Sequence, residues 1–202
     1  MGFDVSQLNL PLPVEFYHQP TLDVARQLLG TYLCKQTENG LMAGRIVEVE
    51  AYCQGDPASH SYRGPTKRNR AMYLAGGSCY VYLIYGMYWC FNVVTQSAGV
   101  GEAVLIRAVE PVVGFDGFLE SDMKDLCRGP GKLCRAFGID ESIDGSSVIS
   151  RDIWISNQVH NANPDISISP RIGISKGLEH HWRFYIKDSP YVSQIKKGRA
   201  TV

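Results

Sequence analysis

The run Tyr80-Val-Tyr-Leu-Ile-Tyr-Gly-Met-Tyr-Trp89 limits the possible folds more than any other stretch of this chain. It holds four tyrosines and a tryptophan in ten residues, with Gly86 in the middle to turn on. Such residues favour strands, and a bend at Tyr85-Gly86 makes a hairpin of strands 79–85 and 87–95. One ring then stands at an exposed tip, with others along the strand behind it. Exposed aromatics cost solubility on an ordinary edge. They serve a purpose where flat rings stack on, or wedge between, nucleic-acid bases. Packing is the commoner use of any single tyrosine, so it is the cluster that points to a base-handling surface.

Upstream, Asn39-Gly40 is a two-residue hairpin signal joining a strand over Thr31–Gln36 to a return strand from Leu41 to Cys53. On that return strand Val47, Val49 and Ala51 point one way, and Glu48, Glu50 and Tyr52 the other. Two carboxylates and a phenol in a row are either the polar side of a half-exposed strand or a functional row. A further strand, Ala103 to Glu110, is apolar up to Val109 apart from Arg107, which is costly there unless it meets a carboxylate or phosphate.

Thr21 is the expected N-cap of a short helix with Leu22, Ala25, Leu28 and Leu29 on its apolar side and Gly30 at its end. Gly129-Pro130-Gly131 opens a second helix through Phe137, stopped at Gly138. Its free N–H groups suit an anion, although a plain loop-to-helix entry is the commoner use of such a sequence. Residues 1–20 form an arm wrapping into the fold, and strands are expected at 148–155, 171–175 and 182–187. The fold class is α+β: a single domain over 1–202, built on a curved, mainly antiparallel, open-barrel-like sheet with short helices around it.

Twenty basic and twenty acidic residues cancel, which counts against a general nucleic-acid binder. The charge is uneven, however. Arg63, Lys67, Arg68 and Arg70 fall in an acid-free stretch, Lys196, Lys197 and Arg199 lie near the C-terminus, and acids gather at Asp116, Glu120, Asp122 and Asp125. The six cysteines lack C-x-x-C spacing, so no metal is expected. With no signal peptide and no membrane-crossing apolar run, they are expected as reduced thiols in a cytoplasmic protein.

Several segments in fixed order carry a resemblance. They are Gly44-Arg-Ile-Val-Glu-Val-Glu-Ala-Tyr52, Ser59-His60-Ser61, Arg68-Asn69-Arg70, the tyrosine hairpin through Asn92, Leu105-Ile-Arg-Ala-Val-Glu-Pro111, Gly129-Pro-Gly-Lys-Leu-Cys134, Trp182-Arg-Phe-Tyr and Ser189-Pro-Tyr-Val-Ser193. From about Pro20 onward the chain resembles the alkyladenine (3-methyladenine) DNA glycosylase family. The resemblance implies a monofunctional, cofactor-free enzyme that flips alkylated or deaminated purines out of double-stranded DNA and hydrolyses the N-glycosidic bond. It implies Glu50 as the general base, with Arg107 beside it and the attacking water. Tyr52, His60 and Tyr82 then sandwich the flipped purine, and Asn92 crowds the exocyclic amine of normal guanine. Tyr85 is the wedge, Met87 and Tyr88 line the DNA-facing groove, and Arg68 and Arg70 lie near phosphates or support the site. Glu48 is expected as a supporting or solvent-facing acid whose charge, if unpaired, works against ionisation of Glu50.

The chain departs from the family pattern in a stretch between Tyr52 and His60 that is one residue shorter, which is expected to change the pocket rim and with it the range of bulky substrates, and it is expected to lack a basic N-terminal extension. A monomer is expected, because one face must reach bent DNA. Two other readings compete. One is a carbohydrate hydrolase using Glu48 and Glu50, roughly 6.6 Å apart along the strand, as an acid–base pair. The other is a lesion binder that has lost turnover.

Overall fold

The computed structural model describes residues 5–158 and 164–193; the basic residues Lys196, Lys197 and Arg199 lie outside them. Its frame is a curled antiparallel half-barrel. Strand β2 (Gly40–Tyr52) organises it by pairing with three others. Along one edge it meets β5 (Ala103–Val113), from Ala43↔Val113 to Tyr52↔Ala103. Along the opposite edge it meets β1 (Tyr32–Thr37) and, further on, β8 (Arg183–Ile186). The hairpin of β3 (Cys79–Ile84) and β4 (Tyr88–Val94) adds on beyond β5. At the other side β6 (Ile153–Ser156) pairs with β1, and β7 (Ile166–Ser169) pairs with β8.

The ladder between β2 and β5 is irregular at the positions that matter. Ile46 pairs with Val109 but Glu48 with Ala108, and Val49 pairs with Ile106, so Val47 and Arg107 are extra residues at two bulges. A bulge re-aims the side chains around it. Ile46 therefore joins Val49 and Ala51 in the main core cluster, a place strict alternation assigns to Val47. Gly44 marks another irregular step. A Cβ there would fall 2.6 Å from Val109 Cγ2 and 3.2 Å from the Glu110 carbonyl. Gly44→Ala is expected to lower stability by about 1–3 kcal/mol, read as a lower urea midpoint; an unchanged midpoint would show that β5 can move aside.

The helices are α1 (Val14–Tyr17), α2 (Thr21–Leu28), α3 (Met123–Leu126) and α4 (Pro130–Phe137). Pro20, not Thr21, occupies the N-cap of α2. Proline sets the entry angle, which frees the Thr21 hydroxyl to bond Thr95 Oγ1 at 2.7 Å and the Glu102 carboxylate. Helix α4 starts after Gly129 and ends at Gly138, whose φ of 60° is the left-handed cap expected of glycine. Lys35 donates from Nζ to the Phe137 and Gly138 carbonyls at 3.0 and 2.8 Å, a cation on the negative end of that helix.

Three other expectations shift. The Asn39-Gly40 turn centres one residue earlier, on Glu38-Asn39, and Gly40 opens the return strand with φ 110°. Of the expected strand 148–155 only 153–155 is regular, and the strand runs on to Ser156. Residues 171–175 form a loop just past β7, because their polar groups bond to the site and not to a ladder. Within residues 5–20, Leu8 is buried, and its carbonyl accepts the Trp154 indole N–H at 2.6 Å. All six cysteines are free thiols, and all but Cys53 are buried. Burial pushes Cys34 and Cys127 up to about 12 and Cys79 and Cys90 up to about 11. Among the described residues no helix is long and apolar enough to cross a membrane.

Candidate active site

The middle of β2 carries the polar row. Neither Glu48 nor Glu50 is the solvent face of a half-exposed strand, since both side chains are 0% exposed. Strands β5 and β8 cover them from the two edges, and each carboxylate is met by donors. Glu50 Oε1 accepts from the Ile172 N–H at 2.7 Å. Its Oε2 accepts from the Tyr52 hydroxyl at 2.9 Å and lies 3.2 Å from Arg107 Nη1. Glu48 Oε1 takes Arg183 Nε at 2.6 Å, Ser193 Oγ at 2.8 Å and Arg107 Nε at 3.1 Å, while Oε2 takes the Ser193 N–H at 2.7 Å. Arg107 thus answers the question raised by a cation in an apolar run. The bulge brings its guanidinium between both carboxylates. Burial works against its charge, but Glu50 and Glu48 more than offset that and raise its pKa.

In front of this network lies a cavity of about 570 Å³, within the range of roughly 300–1,000 Å³ typical of small-molecule sites. Tyr52, His60, Tyr82, Asn92 and Arg107 line it, as do Tyr85, Tyr88 and Arg68. Glu50 sits one hydrogen bond behind the wall, and its three donor residues Tyr52, Arg107 and Ile172 all face the cavity. Burial first, then the Glu50 charge, raises the Tyr52 pKa well above its ordinary value, so the phenol keeps its proton to donate. His60 Nδ1 lies 2.7 Å from the Tyr80 hydroxyl, and its ring packs 4.5 Å from the Tyr82 ring. Partial burial, then the Arg68 charge, pushes the His60 pKa down, so the imidazole is neutral at neutral pH although one edge stays exposed. Asn92 is buried and held by its Nδ2 donating to the Tyr80 carbonyl at 2.9 Å.

The rim is the hairpin tip. Tyr85 is 80% exposed and takes φ 53°, a conformation unusual for a bulky residue and therefore strained. Met87 (66% exposed) and Tyr88 (46% exposed) stand beside it. Arg128 and Lys132 near the start of α4, where Gly131 packs against Tyr88, and Arg135 in its last turn also line the cavity, with Lys132 paired to Asp125.

The basic run divides in its roles. Arg68 Nη2 donates to the Leu83 carbonyl at 3.0 Å, bracing β3 beside the cavity. Asn69 is buried and ties the loop together, donating to the His60 and Gly64 carbonyls at 2.8 and 3.1 Å. Arg70 is exposed and does not line the cavity. Sequence reasoning assigned no role to Ile172, Ser193, Arg183 or the Asp56–Arg171 pair. Arg183 and Ser193 stand in segments that carried the resemblance, but a backbone N–H such as that of Ile172 leaves no residue-type signal.

The site is thus a half-barrel with an aromatic cavity, a buried carboxylate behind the cavity wall and a protruding ring at its mouth. The model of the methylpurine-DNA glycosylase family matches residues 15–190. A relative from Methanoculleus marisnigri is 47% identical over 195 residues, covering 92% of this chain and all of the relative. One from Francisella tularensis (strain SCHU S4) is 44% identical over 181 residues, covering 86% of this chain and 94% of its own. One from Carboxydothermus hydrogenoformans is 44% identical over 188 residues, with 91% and 98% covered. All three are provisionally named 3-methyladenine DNA glycosylase. The chain belongs to the methylpurine-DNA glycosylase family, whose members are DNA-acting enzymes.

Proposed function

We propose that the protein flips alkylated or deaminated purines such as 3-methyladenine, 7-methylguanine and hypoxanthine out of duplex DNA and hydrolyses their N-glycosidic bonds, leaving abasic sites. The observation that carries this reading is the state of Glu50. A carboxylate offers roughly four acceptor sites, and three are taken by Ile172, Tyr52 and Arg107. Glu50 is 0% exposed as it stands, so its fourth site is reached by a water from the cavity only when a wall residue such as Tyr52 or Arg107 shifts. That water loses its proton to Glu50 as it attacks the sugar carbon, whose oxocarbenium-like charge the same carboxylate stabilises. Tyr52, His60 and Tyr82 hold the flipped base between rings, which favours an electron-poor purine. The base leaves as its glycosidic electron pair moves onto the ring, a step already eased by alkylation. The test is incubation with alkylated or inosine-containing duplex and chromatography for free base; no released base would end the proposal.

The exposed, strained ring of Tyr85 suits a wedge that fills the gap left by the extruded nucleotide. Tyr85→Ala is expected to weaken lesion binding by about 1–3 kcal/mol on duplex, with little change on single strands. Equal losses on both would remove the wedge role. The carbohydrate-hydrolase alternative loses support at Glu48, whose oxygens are occupied by Arg183, Arg107 and Ser193 and have no room for a leaving group.

A further inference from the structure

Against one face of the Tyr52 ring lies an ion pair that does not line the cavity and that the chemistry above does not use. The side chains of Arg171 and Asp56 are both 0% exposed. Arg171 Nη1 bonds Asp56 Oδ2, and Nη2 donates to Oδ1 at 2.9 Å. Nη1 also donates to the Ala51 carbonyl at 3.0 Å. The guanidinium carbon stands 4.7 Å from the Tyr52 ring centroid and 5.2 Å from that of Trp182. Trp182 in turn stacks on His180 at 4.1 Å with the planes 5° apart. Arg171 Nε has no hydrogen-bond partner among the described residues, so stacking on rings takes the place of a bond at that atom. Tyr52 lines the cavity and Arg171 does not.

We infer that Arg171, held by Asp56, is a positioning residue that sets specificity: its charge against Tyr52 decides how strongly that ring prefers a cationic over a neutral base. The inference rests on the glycosylase reading above. An aromatic face attracts a cation through its quadrupole. A guanidinium against one side of the ring draws on the same electron density and repels a second cation approaching from the other. A neutral base such as hypoxanthine escapes that repulsion, so Arg171 narrows the advantage of cationic alkylpurines. Asp56 tempers the effect by placing a negative charge on the far side of the guanidinium.

The pair also braces the site mechanically. Asp56 Oδ1 accepts the Ala58 N–H at 3.0 Å in the loop leading to His60, and Arg171 precedes Ile172, which bonds Glu50. Loss of that bracing slows removal of every base alike, whereas the charge effect changes the ratio between bases. The ratio is therefore the decisive readout. Single-turnover excision with enzyme in excess is measured on duplexes carrying 7-methylguanine, which is cationic, and hypoxanthine, which is neutral. Asp56→Asn leaves the guanidinium uncompensated and should lower the 7-methylguanine to hypoxanthine ratio. Arg171→Met combined with Asp56→Asn removes both charges without stranding either, and should raise it. Each shift should be roughly two- to tenfold, and Arg171→Lys, which keeps the cation, should stay near the wild-type ratio. Ratios that stay put in the first two variants, or shift in the same direction, overturn the inference even if both rates fall. Because those variants should move oppositely, either alone still decides the matter if the other fails to fold. Wild-type protein that releases neither base overturns the glycosylase reading, and this inference with it.

Discussion

Glu50→Gln is expected to cut the rate of base release by roughly 10²–10⁴-fold, the usual contribution of a positioned general base, while lesion binding stays within a few-fold of wild type. The two halves of that expectation come from one geometry. The side chain lies behind the cavity wall, and the residues that would hold the purine, Tyr52, His60, Tyr82 and Asn92, line the cavity itself. A carboxamide of the same shape keeps an oxygen for the Ile172 N–H, but its nitrogen cannot accept from Tyr52 or Arg107. Arg107 stays anchored by its bond to Glu48 at 3.1 Å, so the wall should not collapse. Single-turnover excision and a gel-shift titration on the same hypoxanthine duplex separate the two quantities. Turnover equal to wild type would strip Glu50 of its role, and a parallel loss of binding would make it a structural residue instead.

Glu48→Ala should be the most destabilising single change at the site, by about 3–5 kcal/mol. Glu48 is the shared acceptor for Arg107, Arg183 and both donors of Ser193, all of them buried. Removing it strands Arg183 in the interior without an ion-pair partner and leaves Arg107 only Glu50, since among the described residues no other carboxylate pairs with either. For a chain of this size that loss corresponds to a fall in Tm of roughly 6–20 °C. Differential scanning calorimetry measures it, and a fall of a degree or two would mean that water or a neighbouring group takes the place of Glu48. The Ser193 contacts carry a corollary. The last described stretch of chain closes the back of the network, with Arg128 Nε donating to the Val192 carbonyl at 2.8 Å, so the stability of the site and the docking of that segment are one property.

Much of the site was legible in residue order, for reasons that can be traced. Strand alternation puts Glu48, Glu50 and Tyr52 on one face whatever surrounds them, and Arg107 announced itself as a charge in an apolar run. The hairpin tip was legible because only glycine turns so readily between aromatic strands, and Tyr85 is indeed exposed there. Other features had no local signal. The bulges at Val47 and Arg107 depend on how two distant strands meet, and Thr21 lost its expected cap role to Pro20 once Thr95 and Glu102 lay within reach. The loop 171–175 has a strand-like composition, but the tertiary fold uses its backbone and Arg171 for other bonds.

The sequence by itself determined which chemical groups share a face and where an aromatic ring would protrude, since both follow from covalent geometry within a few residues. Only the tertiary structure decided that the two carboxylates are buried and paired rather than solvated. The partners of Glu48 stand 59 residues away at Arg107, 135 at Arg183 and 145 at Ser193, and the Ile172 N–H that meets Glu50 is 122 away; a charge is stable in the interior only when such distant donors arrive together.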